Sequence, residues 1–479
     1  MRIFVNMNYR LFLTLLIAYV AVLVLVGRIT SRGATNSTFF NANKQSNWLL
    51  VSFGMIGASL SGVTFISVPG WVQGSGMTYM PMVLGYLVGY ALIAFVLLPV
   101  YYRYNVVSIY SFLGEKLGPA AYKTGSLFFL LSRVVGASAR LYIVTVVVQL
   151  MICDPLGIPF PVTAILILGL IALYSASGGI ATIVYTDTLQ TALMLVAAAM
   201  ALYYVGVAVL PEGQGVWNYV RTHDYGYMWL SEGPKTGWKQ VLGGMSIAVA
   251  MTGLDQDMMQ KNLTVSRLVN AQKNMVLLGL NLLWVNLLFL ALGLMLSDYA
   301  AANGLLEKGD QLFAAVANSP GMPSILASVF FLGLLAAAFS SADSALASLT
   351  TAFCVDFLRL DLNGDSPARK RTYGAFMAVI FVVMLLIYLL KADSIIGTLF
   401  TAAGYTYGPL LGLFAYALLH RSRVMGWEVL FIGIGSPLLT HALKLWAPSV
   451  GYSIGFELLI YNGLFTYAAL HLAALLRKS

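Results

Sequence analysis

The sequence contains very little charge. Only 9% of its 479 residues are Asp, Glu, Lys or Arg, and 59% are hydrophobic, whereas about 25% of a typical soluble domain is charged. The mean hydropathy is +0.84, and apolar runs of about 20 residues recur along the chain. Such a sequence cannot cover a water-exposed surface. It predicts an all-α polytopic membrane protein, because helices satisfy their own backbone groups in lipid.

Other residue types and motifs are equally scarce, and each shortage excludes a class of protein. The two cysteines, Cys153 and Cys354, fall near opposite faces of the predicted membrane topology, which excludes a disulfide framework. The sequence has only four histidines, and it does not group a nucleophile, a general base and an orienting residue. Nothing therefore supports an enzyme. No GxxxxGK[ST] loop is present that would power a pump. The net charge of +9 is spread over the ends of apolar segments, so nucleic acid is not an expected partner.

The apolar runs predict about thirteen transmembrane helices in a single transporter domain, residues 1–479. The first run could be a cleavable signal peptide, but it lacks a small-residue cleavage site, so we favour a retained helix at residues 9–28. Groups of five helices follow at residues 46–210 and 238–420. Residues 427–476 form two C-terminal helices.

Two of the predicted spans are interrupted by small and helix-breaking residues. The first carries GASLSG at residues 57–62 followed by Pro69 and Gly70, and the second carries MTGLD at residues 251–255. Small residues also serve close helix packing. However, two breaks that lie five spans apart, at equivalent places in two five-helix halves, are typical of a secondary transporter built from inverted repeats.

Basic residues predict the orientation of the chain. If the chain crosses the membrane once at each predicted span, most of the basic residues lie on one side, among them Arg28, Arg32, Arg103, Lys261, Arg267, Arg369 and Lys370. The positive-inside rule assigns that side to the cytoplasm. The sequence therefore predicts a multi-pass protein of the cell (inner) membrane, with an extracytoplasmic N-terminus and a cytoplasmic C-terminus.

The most informative stretch is LLAAAFSSADSALAS at residues 334–348. Four serines and one aspartate lie within a segment that is otherwise apolar enough to span a bilayer. Such groups are costly in hydrocarbon unless they face protein, water or an ion. Hard oxygen ligands at helical spacing indicate a sodium site, although serines in membrane helices also bond back to their own backbone.

Four strings together resemble the sodium:solute symporter family, which includes the sodium/glucose, proline and sialic acid symporters. They are YSASGGIATIVYTDTLQ (174–190), GLDQDMMQK (253–261), AAAFSSADSALAS (336–348) and GPLLGLF (408–414). The resemblance implies a LeuT-type fold with an inverted repeat of two five-helix halves. It further implies a substrate site near the midplane and inward co-transport of a solute with sodium.

The resemblance implies a principal sodium site built from both interrupted and serine-rich segments. Its ligands correspond here to Gly57, Leu60, Ala337, Ser340 and Ser341. A second sodium, present in some relatives, would be held by Asp187, Asp343 and Ser344 together with Ser340. Relatives that bind this ion carry a hydroxyl where Asp343 stands. Its carboxylate could bind the ion more tightly, be protonated as a neutral donor, or pair with a buried arginine.

The same resemblance places substrate contacts on several helices. They correspond to Ser59, Ser61 and Thr64 on the first broken helix and to Asp255 and Gln256 at the second break. Thr401, Tyr405 and Tyr407 on a later helix could line the opposite wall, although aromatic residues in membrane helices also serve packing and the interfacial belt. Arg133 and Arg140, seven residues apart, share one helix face. Either binds a substrate carboxylate, as an arginine on this helix does in the sialic acid symporters, or pairs with Asp255, Asp257 or Asp343.

The expected function is sodium-coupled import of a small organic solute, such as sialic acid or another carboxylate. A neutral sugar or polyol is the alternative, because Asp255 stands where a sugar symporter of this family has an asparagine ligand, and a bare carboxylate there would repel an anion. A passive channel is the alternative of another class. The expected partners are sodium, the solute and the lipid bilayer, with the chain acting as a monomer.

Overall fold

A computed structural model describes residues 9–233, 235–361, 366–390, 395–420 and 426–476, without the side chains of residues 63 and 395–402. Helices dominate these residues, and thirteen helical spans follow one another if the two parts of the seventh are counted as one. They are α1 (Tyr9–Thr30), α2 (Trp48–Ser75), α3 (Met80–Arg103), α4 (Pro119–Val148), α5 (Phe160–Ser175), α6 (Ile180–Val209), α7a (Gly237–Ala248) with α7b (Gln256–Leu263), α8 (Leu268–Ala302), α9 (Ser324–Ala352), α10 (Pro367–Leu390), α11 (Ile395–Leu419), α12 (Glu428–Trp446) and α13 (Leu458–Leu476).

These helices confirm the prediction of an all-helical, multi-pass membrane protein. Nine of the described helices are each long and apolar enough to cross a bilayer, and α2 makes a tenth if its two bent halves count as one span. Helix α5 is apolar but has only 16 residues. Helices α7 and α11 also coincide with predicted spans. For α5, α7 and α11 the membrane crossing stays a prediction, and with it the total of thirteen.

Helix α9, which carries the serine-rich stretch, lies at the centre of the bundle. Within its most apolar window 72% of the residues are buried, compared with 17% for α10. It packs against α2, α4 and α6. Its small side chains permit close approach: a Cβ built on Gly333 would lie only 2.6 Å from the Cβ of Ala197 on α6. Because the side chains at these positions are small, α2, α4 and α6 can pack closely against the polar groups of α9.

Helices α3 and α7a are in close contact through glycines. A Cβ on Gly85 would lie 2.1 Å from the carbonyl oxygen of Val241, and a Cβ on Gly244 would lie 2.0 Å from the carbonyl oxygen of Met82. Neither position tolerates a larger residue without moving a backbone. This contact fixes α7a, the first half of the second broken helix, against α3.

The C-terminal end of the α9 span is anchored by a buried carboxylate. Asp356 accepts hydrogen bonds from the hydroxyls of Ser108 at 2.9 Å, Tyr122 at 2.8 Å and Ser126 at 2.5 Å. These donors come from the start of α4 and from the segment before it. Three hydroxyl donors satisfy this carboxylate, which has no ion-pair partner among the described residues, and they tie α9 to α4 at this end.

One element of the topology prediction needs correction. Lys261, which the sequence places in a loop, lies on α7b inside the bundle and is only 1% exposed. Helix α7b follows the MTGLD interruption, extends to Leu263 and so includes Lys261. The sequence pattern assigns Lys261 to a loop because it follows an apolar run, whereas in the structure Lys261 is buried beside Asp187.

Candidate ion and substrate site

The break in α2 falls at Ser61. This residue has φ +44° and ψ 165° inside an otherwise helical segment, and the axis bends by 55° between Trp48–Gly62 and Thr64–Ser75. Such a conformation interrupts the helical hydrogen bonds, and the carbonyls of the preceding turn become available to another partner. No described side chain donates a hydrogen bond to the carbonyls of Gly57 or Leu60. Pro69 and Gly70, in contrast, do not end the helix, which continues to Ser75.

Helix α9 brings its serine-rich stretch against this break. A Cβ built on Gly62 would lie 3.5 Å from the Cβ of Ala338. On α9, Ala337, Ser340 and Ser341 are each at most 2% exposed. The hydroxyl of Ser341 donates to the carbonyl of Ala337 at 3.2 Å. The structure thus brings the two segments of the predicted principal sodium site into contact.

Of the residues expected at a second sodium site, Asp187, Ser340 and Asp343 have partners of their own, whereas the hydroxyl of Ser344 and Oδ1 of Asp343 have none among the described residues. The hydroxyl of Ser340 donates to Oδ1 of Asp187 at 2.6 Å, and Nζ of Lys261 lies 2.7 Å from Oδ2 of the same carboxylate. Asp343 accepts a hydrogen bond of 2.7 Å from the hydroxyl of Tyr174. Among the ion pairs of the described residues none involves Asp343, and Ser344 is buried beside it.

A cavity of about 170 Å³ lies next to the α2 break. Helices α2, α3, α4, α7a, α8 and α11 all contribute to its wall. Its polar lining residues are Ser59, Ser61, Thr64, Tyr79, Tyr86, Tyr90, Ser132, Arg133, Arg140, Thr252, Asn286, Thr406 and Tyr407. The structure therefore places Ser59, Ser61, Thr64, Arg133 and Arg140 around one space, as the sequence predicts.

The two arginines of α4 differ in their partners. Arg133 pairs with Asp257 and lies 3.8 Å from Asp255, so its charge is shared between two buried carboxylates. Arg140 lines the cavity without an ion pair to any residue in the described ranges. Of the two alternatives for this pair, the structure shows carboxylate pairing at Arg133 and leaves Arg140 facing the cavity.

Asp255 has a structural role at the second break. Its Oδ1 accepts hydrogen bonds from the backbone nitrogens of Asp257 at 2.8 Å and Met258 at 3.3 Å, which caps α7b. Its Oδ2 accepts a hydrogen bond from the hydroxyl of Tyr407. Two other tyrosines satisfy freed carbonyls at this break: Tyr101 donates to Gly253 at 2.7 Å and Tyr110 donates to Leu254 at 2.9 Å.

Asp255, Gln256 and Tyr405 do not line the cavity, although the sequence predicts them near the solute. The amide of Gln256 accepts a hydrogen bond from the nitrogen of Ile109 at 2.9 Å and donates one to the carbonyl of Val107 at 2.8 Å. It supports a connecting segment and is absent from the cavity wall. The side chain of Thr401 lies outside the described residues.

The sequence analysis missed Asn286 and Thr252, which also line the cavity. The amide nitrogen of Asn286 donates to the carbonyl of Leu282 at 2.7 Å, whereas its buried Oδ1 has no partner among the described residues. Asn286 lies in the middle of the apolar helix α8. That position was the available signal, because a polar residue at membrane depth indicates a functional site.

Comparison with known proteins agrees with this architecture. The putative sodium-dependent multivitamin transporter of Drosophila melanogaster is 25% identical over 470 residues, which cover 92% of this chain and 74% of that protein. The sodium/sialic acid symporter of Proteus mirabilis is 23% identical over 446 residues, which cover 87% and 86%. A solved structure of a Na⁺-coupled sialic acid symporter in a substrate-bound outward-open state superposes with a TM-score of 0.78 at 20% identity, covering 97% of this chain and 98% of that one.

The structural match confirms the predicted LeuT-type fold. The sequence profile described as "Sodium:solute symporter family" matches residues 39–424, which is most of the chain. This match includes both broken helices, the serine-rich segment of α9 and the whole wall of the cavity. The chain therefore belongs to the sodium:solute symporter family and is a sodium-coupled solute symporter of the membrane, not an enzyme.

Proposed function

We propose that this symporter imports a small organic solute that carries a carboxylate, and that Arg140 is the partner of that carboxylate. The observation that carries the proposal is the different pairing of Arg133 and Arg140 on one helix. Arg133 pairs with Asp257 and lies 3.8 Å from Asp255, while Arg140 brings to the cavity a guanidinium that has no ion-pair partner among the described residues. An arginine without such a partner at a cavity wall can bind an anionic ligand, and arginine binds a carboxylate with two parallel hydrogen bonds.

The surroundings of Asp255 remove the main argument against an anionic substrate. Its carboxylate accepts hydrogen bonds from Tyr407 and from two backbone nitrogens, and it lies 3.8 Å from the Arg133 guanidinium. It is fully buried and is not part of the cavity wall. Its charge is therefore compensated inside the protein and does not face the solute.

The rest of the wall suits a hydroxylated solute. Ser59, Ser61 and Thr64 contribute hydroxyls from α2, and Thr252 and Asn286 add a hydroxyl and an amide from α7 and α8. These groups can donate to and accept from sugar hydroxyls. An acidic sugar such as sialic acid, the solute named for two of the similar proteins, combines a carboxylate with such hydroxyls. A neutral sugar or polyol would use the same hydroxyls but would leave Arg140 unpaired.

Sodium would bind where the α2 break meets α9. The carbonyls of Gly57 and Leu60, the carbonyl of Ala337 and the oxygens of Ser340 and Ser341 supply neutral ligands, which suit a monovalent ion that must also be released. Ser59 and Ser61 belong to the same break, so an ion that fixes the break also fixes part of the solute site. Each ligand then raises the affinity of the other by the same factor.

We also infer that the N-terminus is extracytoplasmic, that the C-terminus is cytoplasmic and that the chain acts as a monomer. The helices α2 to α6 and α7 to α11 form the two repeats, residues 46–210 and 238–420, because each begins with a broken helix. The excess of Lys and Arg on one side supports the orientation. A reporter fused after Ser479 tests it: activity of an extracytoplasmic reporter at this position would contradict the orientation.

Uptake into proteoliposomes tests the solute class. The purified protein is given an inward sodium gradient, or a choline gradient as control, and a panel of labelled acids, sugars and polyols. We expect accumulation of an acid that requires sodium, and at least a tenfold loss of kcat/KM in the Arg140→Gln variant. Arg140→Lys should be intermediate, because it keeps the charge but loses the planar fork. Sodium-driven uptake of a neutral polyol that Arg140→Gln leaves unchanged would contradict the proposal.

A further inference from the structure

Lys261 occupies an unusual place for a lysine in a sodium symporter. It lies on α7b and is 1% exposed, and its Nζ is 2.7 Å from Oδ2 of Asp187 on α6, which is equally buried. The other oxygen of Asp187 accepts the hydrogen bond from Ser340 on α9. Three helices therefore meet at one carboxylate, which accepts a hydrogen bond at one oxygen and lies in an ion pair at the other.

These partners coincide with the residues expected at a second sodium site. Asp187 and Ser340 belong to that set, together with Asp343 and Ser344. An ammonium group carries the same single positive charge as sodium and also seeks oxygen ligands. A lysine is stable at this depth only beside an anion, and Asp187 is its ion-pair partner among the described residues.

We propose that Lys261 acts as a tethered cation that occupies the place of a second sodium ion, so that one sodium binds per chain. This inference rests on the principal sodium site of the proposed function. The ammonium already neutralises Asp187, and a sodium ion on the same carboxylate would face a like charge a few ångströms away. Lys261 is thus a residue that sets the number of coupled ions.

Asp343 does not form a second sodium site by itself. Its Oδ2 accepts the hydrogen bond of 2.7 Å from Tyr174 on α5, and it forms no ion pair with Lys261. The remaining hydroxyl of the set, Ser344, is a neutral group on the same helix. Without the oxygens of Asp187 these residues offer only two side-chain oxygens that have no partner among the described residues, Oδ1 of Asp343 and the hydroxyl of Ser344.

The number of sodium ions bound to the purified full chain tests the inference, and it requires no solute. The probe is ²²Na⁺ at saturating concentration, counted per protein molecule in wild type and in variants of Lys261. We expect one ion for wild type and two for Lys261→Gln, which removes the tethered charge and leaves Asp187 free for sodium. Lys261→Arg keeps a cation and should bind one. The double variant Lys261→Gln/Asp187→Asn removes the carboxylate as well and should return to one.

The outcomes separate this inference from the proposed sodium site. A wild-type count of two, or a count of one for Lys261→Gln, overturns the role of Lys261 and leaves the principal site intact. A wild-type count of zero overturns the principal site, and the inference with it. The wild-type count keeps the inference testable even if Lys261→Gln cannot be purified, because one ion supports it and two overturn it.

Discussion

Arg133 on α4 forms its ion pair with Asp257 on α7b, and this pair joins α4 to the second broken helix. Seven residues further along α4, Arg140 faces the cavity without such a partner. One arginine therefore supports the fold, and we propose that the other binds the solute. The two residues are of one type on one helix, about 10 Å apart along its axis, so each serves as a control for the other.

The first prediction concerns stability. Replacing Arg133 by Gln leaves two buried carboxylates without a cation, and breaking a buried ion pair in this way costs about 3–5 kcal/mol. Arg133→Gln should therefore lower the thermal unfolding temperature clearly, and Arg140→Gln should change it little. Adding Asp257→Asn to Arg133→Gln should restore part of the loss. Equal unfolding temperatures for the two single variants would contradict the assigned roles.

The second prediction concerns sodium affinity. Ser340 donates to the Asp187 carboxylate, a type of bond worth about 1.5–3 kcal/mol, and it is a predicted sodium ligand. Ser340→Ala should raise the sodium concentration for half-maximal uptake about tenfold, which corresponds to roughly 1.4 kcal/mol. Ser348→Ala is the control, because Ser348 donates only to the carbonyl of Ala345 in its own helix at 3.1 Å. The same sodium dependence in both variants would argue against an ion site at Ser340.

The third prediction concerns the tyrosine that compensates Asp255. Tyr407→Phe removes the hydroxyl that donates to this buried carboxylate. The negative charge of Asp255 should then repel an anionic solute in the cavity more strongly. KM for an acidic solute should rise several-fold. Tyr405→Phe, two residues away on α11, is the control, because Tyr405 bonds to His441 at 3.0 Å and is not part of the cavity wall. A larger effect from Tyr405→Phe would contradict this account of the cavity.

The fourth prediction concerns helix packing. Gly85→Ala would place a Cβ 2.1 Å from the carbonyl oxygen of Val241 and should destabilise the protein by about 1–3 kcal/mol or more. Gly169→Ala on α5 meets no atom within 4 Å and should be neutral, or stabilising by up to about 1 kcal/mol. Thermal unfolding of the two purified variants distinguishes them. Tolerance of alanine at Gly85 would mean that α3 and α7a are further apart than described.

Much of the site was predictable from sequence, because polarity in an apolar span is a local signal. The serine-rich run of α9 and both helix breaks were found in this way. The exact partners were not predictable. The sequence offers Asp255, Asp257 and Asp343 for the arginines of α4, and only the fold selects Asp257, 124 positions away, as the partner of Arg133. Lys261 was assigned to a loop for the same reason: its position at the end of an apolar run gave no sign of the aspartate on α6.

Binding of matched acids and amides tests the central claim most directly, since the two members of each pair differ mainly in charge. Lactate with lactamide, and nicotinate with nicotinamide, together with sialic acid and its methyl ester, are added to the purified protein in sodium. Thermal stabilisation reports binding. Stabilisation by at least one acid but not by its neutral partner, lost in Arg140→Gln, is the result we predict. Equal stabilisation by an acid and its neutral partner, or stabilisation by the acid that persists in Arg140→Gln, would contradict the recognition of a carboxylate by Arg140.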